Sequence, residues 1–196
     1  MIILFGAAGS GKSTQGREIA ECYGWKWLSV GEVLRQSGQF QDTLKNGELV
    51  DDKKVIEMMN KEIEKADEDG MNVVLDGYPR DIEQAKWMVA EMPEKIEAAI
   101  VLKVPKEELL KRIEARGRND DVAEIIEKRI KIFEDNIVEI LPLFHGEDIP
   151  VFEVDGVGEM DEVTGRIMKV VEAAVPDAVV QIDDVNNGDV EKSYGE

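Results

Sequence analysis

The sequence predicts an α/β three-layer fold, a five-stranded parallel sheet with helices on both faces. Three observations predict it. Five short apolar segments alternate with longer stretches whose apolar residues recur at helical spacing. Two of those segments, IILF at 2–5 and NVVL at 72–75, have little polar alternation, as expected of strands buried on both faces. A glycine-rich stretch, GAAGSGKST at 6–14, joins the first strand to the first helix.

The elements follow in order. Strands are expected at 2–5, 25–29, 72–76, 98–104 and 150–155, and helices at 12–23, 30–37, 51–67, 80–91, 105–116, 121–141 and 159–173. Pro105 fits the first turn of its helix, where a missing N–H is tolerated. Trp25, Trp27, Trp87 and the methionines Met58, Met59, Met88 and Met92 are expected to pack, not to bind a cofactor. From Pro176 the chain is acidic, short of large apolar residues and rich in turn formers, so 176–196 is expected to be an acidic, loosely ordered tail. Its VVQI piece could add an edge strand.

Composition excludes several classes. With 196 residues the chain suits one domain with a sizeable core. The apolar runs are strand-sized, so no membrane partner is expected, and the N-terminus lacks the basic segment of a signal peptide. Cys22 is the only cysteine, which rules out an internal disulfide and a cysteine-cluster zinc site; a cytoplasmic location fits. The net charge of -19 repels polyanions, so no nucleic-acid partner is expected.

Gly6 to Ser13 match G-x-x-x-x-G-K-[ST] in the right setting, after a strand and before a helix. Glycines let the backbone turn its N–H groups inward around oxygen atoms, and the helix N-terminus adds partial positive charge. Lys12 supplies a full charge to the outer phosphates, and Ser13 can ligate magnesium. The loop specifies a nucleoside triphosphate but not the acceptor. Downstream, a strand ends in Asp76, which can organise magnesium through its water shell. Gly77, Tyr78, Pro79 and Arg80 follow. Gly77 permits close backbone approach, Pro79 stiffens the turn, and Arg80 is expected to open the next helix. A cation there opposes the helix dipole and points to an anionic ligand.

At this point the sequence resembles the adenylate kinase family of nucleoside monophosphate kinases. The resemblance rests on GAAGSGKSTQ, LSVGEVLR (28–35), GELVDD (47–52), VVLDGYPRDIEQA (73–85), KRIEARGRNDD (111–121) and EKRI (127–130), in order along residues 1 to about 174. It implies a P-loop NTPase-type fold, a kinase domain over 1–175, a helical acceptor-binding insertion over about 29–58 and a very short lid at about 116–122.

The resemblance also implies roles. Gly9, Ser10, Gly11, Lys12, Ser13 and Thr14 would hold the ATP phosphates. Arg112 would stack on the ATP adenine, Arg116 would contact its phosphates and Gly158 would lend a carbonyl near the adenine. Arg35 and Arg80 would grip the acceptor phosphate, and Gly77, Tyr78 and Pro79 would shape that loop. Ser29, Val30, Gly31, Glu48, Leu49 and Val50 would line the acceptor base pocket, with Gln84 hydrogen-bonding the base. Arg118 and Arg129 would bridge both nucleotides during transfer, with Lys12 and Arg80 completing the catalytic set. Asp120 and Asp121 would support the lid arginines. ATP, AMP and Mg2+ are the implied ligands, without zinc, and the implied state is a monomer. Six of the eight arginines fall on these positions while lysine covers most other basic sites, the sorting that bidentate phosphate contact requires. His145 lies outside every motif and is expected to be structural or exposed.

The chain departs from the family pattern at Ala8 (usually proline), at Ser13-Thr14 (usually glycine-threonine), at Val30 (usually threonine) and in its very short lid. Val30 leaves CMP, UMP or dAMP open as acceptors, whereas Gln84 favours AMP. A small-metabolite kinase and a non-catalytic nucleotide-binding regulator are the remaining alternatives; the DGYPR motif and the lid arginines oppose the first, and retention of Lys12, Arg80, Arg118 and Arg129 the second. Ser13→Gly is expected to retain substantial steady-state activity, and loss of nearly all turnover would make Ser13 an essential magnesium ligand.

Overall fold

The five expected strands form as β1 (Ile2–Phe5), β2 (Lys26–Ser29), β3 (Val73–Asp76), β4 (Ala98–Lys103) and β5 (Val151–Asp155). They pair in parallel in the order β2-β3-β1-β4-β5. The computed structural model describes residues 1–46, 50–116 and 122–178, with the backbone alone for Leu44, Lys45 and Arg116. Glu48, Leu49, Arg118, Asp120, Asp121 and the VVQI piece of the tail lie outside the described residues.

Alternate residues of each strand face opposite layers. Ile3, Phe5, Leu75 and Val101 pack with Met59 and Ile63 of α4 (Asp52–Glu68), Met88 of α5 (Ile82–Glu91) and Phe144 of α7 (Ala123–Gly146). Ile2, Leu4, Val74 and Ile100 pack with Ile19 of α1 (Lys12–Tyr23) and Ile167 and Val171 of α8 (Met160–Ala174). Trp87, Met58 and Met92 join the first layer, and Trp25 and Trp27 the second, so these side chains are packing residues as expected. A third, smaller cluster sets Leu109 and Ile113 of α6 (Lys106–Arg116) and Ile126 and Ile130 of α7 against Ala7 of the phosphate loop. Val175 and Ala178 still belong to the second layer. Among the described residues no helix is long and apolar enough to cross a membrane.

Among the differences from expectation, three bear on the packing around the site. The short α3 (Gln41–Lys45), after α2 (Val30–Ser37), was not foreseen; five residues carry too little periodicity to register. Helix α7 runs through Pro142 to Gly146, beyond the expected end at 141. Proline removes one N–H, but Phe144, fully buried and edge-on to Phe5 with ring centroids 5.7 Å apart, keeps the last turn against the sheet. Finally, α5 begins at Ile82 with Asp81 as its N-cap, so Arg80 precedes the helix and does not open it. The Asp81 carboxylate accepts from the N–H groups of Glu83 and Gln84, the usual use of an aspartate at that position.

The parallel order places the C-terminal ends of all five strands along one edge. There Leu4 is in register with Asp76, and Asp76 with Ser29. The chain order reverses around β1, which is where α/β sheets open a ligand crevice. Phe144→Ala is expected to cost about 3–5 kcal/mol in urea unfolding; a cost well below this range would mean that α7 collapses into the space left behind.

Candidate active site

The chain leaves β1 at Phe5 and wraps a loop over the end of the strand. Gly9 and Gly11 take φ of 85° and 89°, the left-handed region that favours glycine. Gly9 is also constrained by packing, since a Cβ there would lie 2.8 Å from the Leu109 carbonyl oxygen and 2.7 Å from Ile113. The loop is therefore clamped under α6. Helix α1 starts at Lys12 with Gly11 as its N-cap, without a side-chain cap and without an acidic residue in its first turn. The helix N-terminus, with its dipole, thus meets no capping side chain or carboxylate that would compete with an anion. Lys12 Nζ lies 3.5 Å from the Ala7 carbonyl oxygen, and Lys12 Cε is 3.3 Å from where a Cβ on Gly77 would stand. The lysine thus lies between the loop after β1 and the loop after β3.

Opposite, two guanidinium groups converge. A Cβ on Gly31 would lie 3.3 Å from both Arg35 Nη1 and Arg80 Nη2, so glycine leaves both cations their approach. Arg80 Nε donates to the Gly77 carbonyl (3.0 Å), the Arg80 N–H donates to Gln84 Oε1 (2.9 Å), and Asn136 Nδ2 of α7 donates to the Arg80 carbonyl (2.8 Å). The backbone of Arg80 is therefore held on both sides. Arg35 is paired with Glu32 one turn earlier, at 3.0 Å. Burial pulls the Arg80 guanidinium down to about 10; the Asp76 carboxylate opposes this shift, and the Arg35 and Arg129 cations add to it. Asp76 is 1% exposed, and neither carboxylate oxygen has a hydrogen-bond partner. A buried, unsatisfied carboxylate beside a phosphate loop fits an ion bound through its hydration shell. Ser13 is half-buried in the first turn of α1.

Ser29, Val30, Gly31 and Val50, expected to line the acceptor base pocket, are buried, and Tyr78 and Pro79 are joined by a cis peptide bond. Gln84 is 1% exposed, and its Nε2 donates to Asp52 Oδ1 (2.9 Å) and to Asp81 Oδ2 (2.6 Å). Burial, together with the neighbouring Asp52 carboxyl, raises Asp81 to about 6, against the N–H bonds from Gln84 and Glu83 that lower it. At the phosphate loop, Arg112 pairs with Glu108 (2.7 Å) and its Nη1 lies 3.5 Å from the Ser10 carbonyl oxygen, so its guanidinium lies over the loop. Gly158 has φ of 126°, and Arg166 Nη1 donates to the carbonyls of Asp155 (2.8 Å) and Val157 (2.6 Å), pinning that loop. His145 is exposed in the last turn of α7, away from these groups.

The family model for adenylate kinase matches residues 4–149. The chain belongs to the adenylate kinase family. Relatives named adenylate kinase include those of Mycobacterium ulcerans, 34% identical over 86% of this chain and 97% of the relative, and Porphyromonas gingivalis, 33% identical over 87% and 95%. That of Maricaulis maris is 33% identical over 87% of this chain and 98% of the relative. As an adenylate kinase family member the chain is a phosphotransferase with nucleoside monophosphate kinase function.

Several residues that shape this adenylate kinase family site were not foreseen. Asn136 is seven residues from Arg129, two helical turns along the same face of α7, a spacing that could have flagged it. Asp81 before an apolar helix is a recognisable cap. Arg166 and the bond from Thr164 Oγ1 to Gln15 Oε1 (2.8 Å), which ties α8 to α1, had no local signal. The Asp52–Asp81 pair carries a pH dependence. Because the folded pKa of Asp81 lies above its ordinary 3.8, the fold holds the proton more tightly than the unfolded chain. Stability of the protein relative to Asp81→Asn, which keeps the cap, should therefore fall as pH rises from about 4 to about 6 and stay level above. Urea unfolding of both proteins across that range checks it, and a pH-independent difference would sink it.

Proposed function

We propose that the protein catalyses the reversible transfer of the terminal phosphoryl group of ATP to AMP, giving two ADP. The observation that carries this reading is the meeting of Arg35 and Arg80 over Gly31, across Gly77 from Lys12 and the phosphate loop. Two phosphate-binding poles face each other there. One is built from backbone N–H groups and a lysine, and the other from two guanidinium groups suited to bidentate contact with a monophosphate.

The two nucleotides together carry about five to six negative charges near neutral pH. The acceptor oxygen is already ionised and needs no general base, in keeping with a site that holds no histidine. Catalysis then rests on in-line placement and on neutralising the moving phosphoryl group. Gly9, Ser10, Gly11, Ser13 and Thr14 hold the ATP phosphates together with Arg116, and Arg112 and Gly158 lie toward the adenine. Lys12 spans the gap, Arg80 and Arg35 orient the acceptor phosphate, and Arg118 and Arg129 bridge both nucleotides. Ser13 and Asp76 would hold Mg2+, which when bound would offset charge on the ATP phosphates. The acceptor base lies between the 29–31 segment, residues 48–50 and Gln84, inside an acceptor-binding subregion of about 29–58. A lid of about 116–122, with Asp120 and Asp121 supporting its arginines, closes over ATP and excludes water. The enzyme acts as a cytoplasmic monomer.

A steady-state panel of AMP, CMP, UMP, GMP and dAMP with Mg-ATP tests the acceptor. AMP is expected to give the highest kcat/KM, with GMP and UMP lower by about 100-fold or more, as expected where a buried polar group would be left unpaired. A pyrimidine nucleotide at the top of the panel would overturn the assignment.

A further inference from the structure

Gln15 serves two neighbours at once. Its backbone N–H donates to the carbonyl of Gly11, the last glycine of the phosphate loop (3.0 Å). Its buried side chain reaches the segment after β5. There Nε2 donates to the Met160 carbonyl (3.2 Å), and Oε1 accepts from the Thr164 hydroxyl (2.8 Å). Thr164 Oγ1 also lies 2.9 Å from the Met160 carbonyl oxygen, but a hydroxyl has one proton to give. Met160 already receives the amide, whereas Gln15 Oε1 has no other donor among the described bonds, so the proton goes to Gln15. Turning the amide over would set its oxygen against the Met160 carbonyl oxygen, so its orientation is fixed.

The segment that Gln15 holds at Met160 is also held at its other end. Arg166 Nη1 donates to the carbonyls of Asp155 and Val157, and the Gly156 N–H donates to the Lys103 carbonyl of β4 (2.9 Å). Gly158 stands between the two clamps. Val157 and Met160 flank it in the chain and are exposed large apolar side chains, which suit the face of a base and offer nothing to a phosphate.

We propose that Gln15 and Thr164 are positioning residues that set the distance between the phosphate loop and the Gly158 segment, and so determine how much the base adds to binding of the donor triphosphate. This rests on the assignment of Gly158 to the donor base in the proposed function. Elsewhere α1 and α8 share apolar packing, with Ile19, Ile167 and Val171 in one cluster. Such packing is non-directional, so it resists separation of the helices more than sliding. The buried Gln15–Thr164 bond is directional, and breaking it leaves a buried oxygen unpaired, so it resists sliding as well. A donor held by its phosphates then meets a base-side segment already in place, with no ordering left to do on binding.

The test uses the full chain in steady state with Mg2+ and reads three constants: KM for ATP, KM for AMP, and Ki of tripolyphosphate competing with ATP. Tripolyphosphate reports the phosphate loop without a base. Thr164→Val keeps the branched shape and removes the hydroxyl donor. It is expected to raise KM for ATP by about 10-fold, with KM for AMP and Ki of tripolyphosphate changed by about 2-fold or less. Thr164→Ser, which returns the hydroxyl, should restore KM for ATP. Gln15→Met completes a double-mutant cycle, in which the double variant should be weaker for ATP than the worse single variant by about 2-fold at most.

An unchanged KM for ATP, or a Ki that rises in step with it, overturns the inference and leaves transfer to AMP standing. So does an additive cycle, because the two residues would then act separately. A loss of kcat with the ratio of Ki to KM for ATP unmoved marks a merely structural role and overturns it too. In the unsubstituted protein, a Ki no larger than KM for ATP would overturn the base-side assignment of Gly158 and the inference with it.

Discussion

The constraint on which the site depends is the gathering of like charges. Arg80 lies near Arg35 and Arg129, and burial weakens its own hold on its proton. Two unit charges about 6 Å apart repel by about 3 kcal/mol at an effective dielectric of 20. Such a cluster does not hold itself together; the scaffold must hold it. The bonds around Arg80 meet that need. Its N–H goes to Gln84, its carbonyl takes the Asn136 amide, and its Nε reaches the Gly77 carbonyl, so the side chain starts from a fixed backbone. Asp76 offsets part of the charge from below without a hydrogen bond of its own. A phosphate bound there would relieve the repulsion, the cost of assembling the cations having already been met by folding.

The rest of the surface carries the opposite sign. A net charge of -19 repels nucleotides at long range, yet the site must attract them. The two are compatible because screening confines exposed charges to about 8 Å at physiological salt, while cations and loop amides inside a crevice are screened much less. The acidic surface serves solubility, and the arginines and Lys12 act only at contact distance. This separation also accounts for the division of labour between the cations. Lysine pairs loosely with neighbouring carboxylates on exposed helix faces, as Lys61 does with Glu57 and Lys131 with Asp135, whereas arginine is reserved for planar contacts.

How much of this was legible in the sequence depended on distance along the chain. The sheet was read to within a residue or so at most ends because buried parallel strands are short, continuous apolar runs. The glycines of the phosphate loop and Asp76 were legible because each lies in a contiguous motif, whereas the Arg35–Arg80 convergence joins two motifs far apart in the chain and was expected only from the family resemblance. The N-terminal limit of α5 was misplaced because a cap residue looks helical until its side-chain bonds are seen. The Asp52–Gln84–Asp81 cluster was not legible. Asp81 and Gln84 are three residues apart, but Asp52 arrives from thirty-two residues away, and only the packing of α4 on α5 brings it in. Gln84 was expected to hydrogen-bond the acceptor base; in the structure its amide also bonds Asp52, Asp81 and the Arg80 N–H.

Donor and acceptor sides are anchored by the same kind of device. On the acceptor side, Gln84 joins α4 to α5 and Asn136 joins α7 to the Arg80 loop. On the donor side, Gln15 accepts from Thr164 and donates to the Met160 carbonyl, tying α1 to α8, while Arg166 holds the loop after β5. Beneath both sides the core is apolar, and apolar packing fixes volume better than angle. Buried amides and hydroxyls with directional bonds fix the angle, which matters most where a phosphoryl group must move in line between two oxygens. These polar contacts lie near the C-terminal edge of the sheet, within a turn or two of a strand end. They stiffen the floor of the site, on which the cations keep their places.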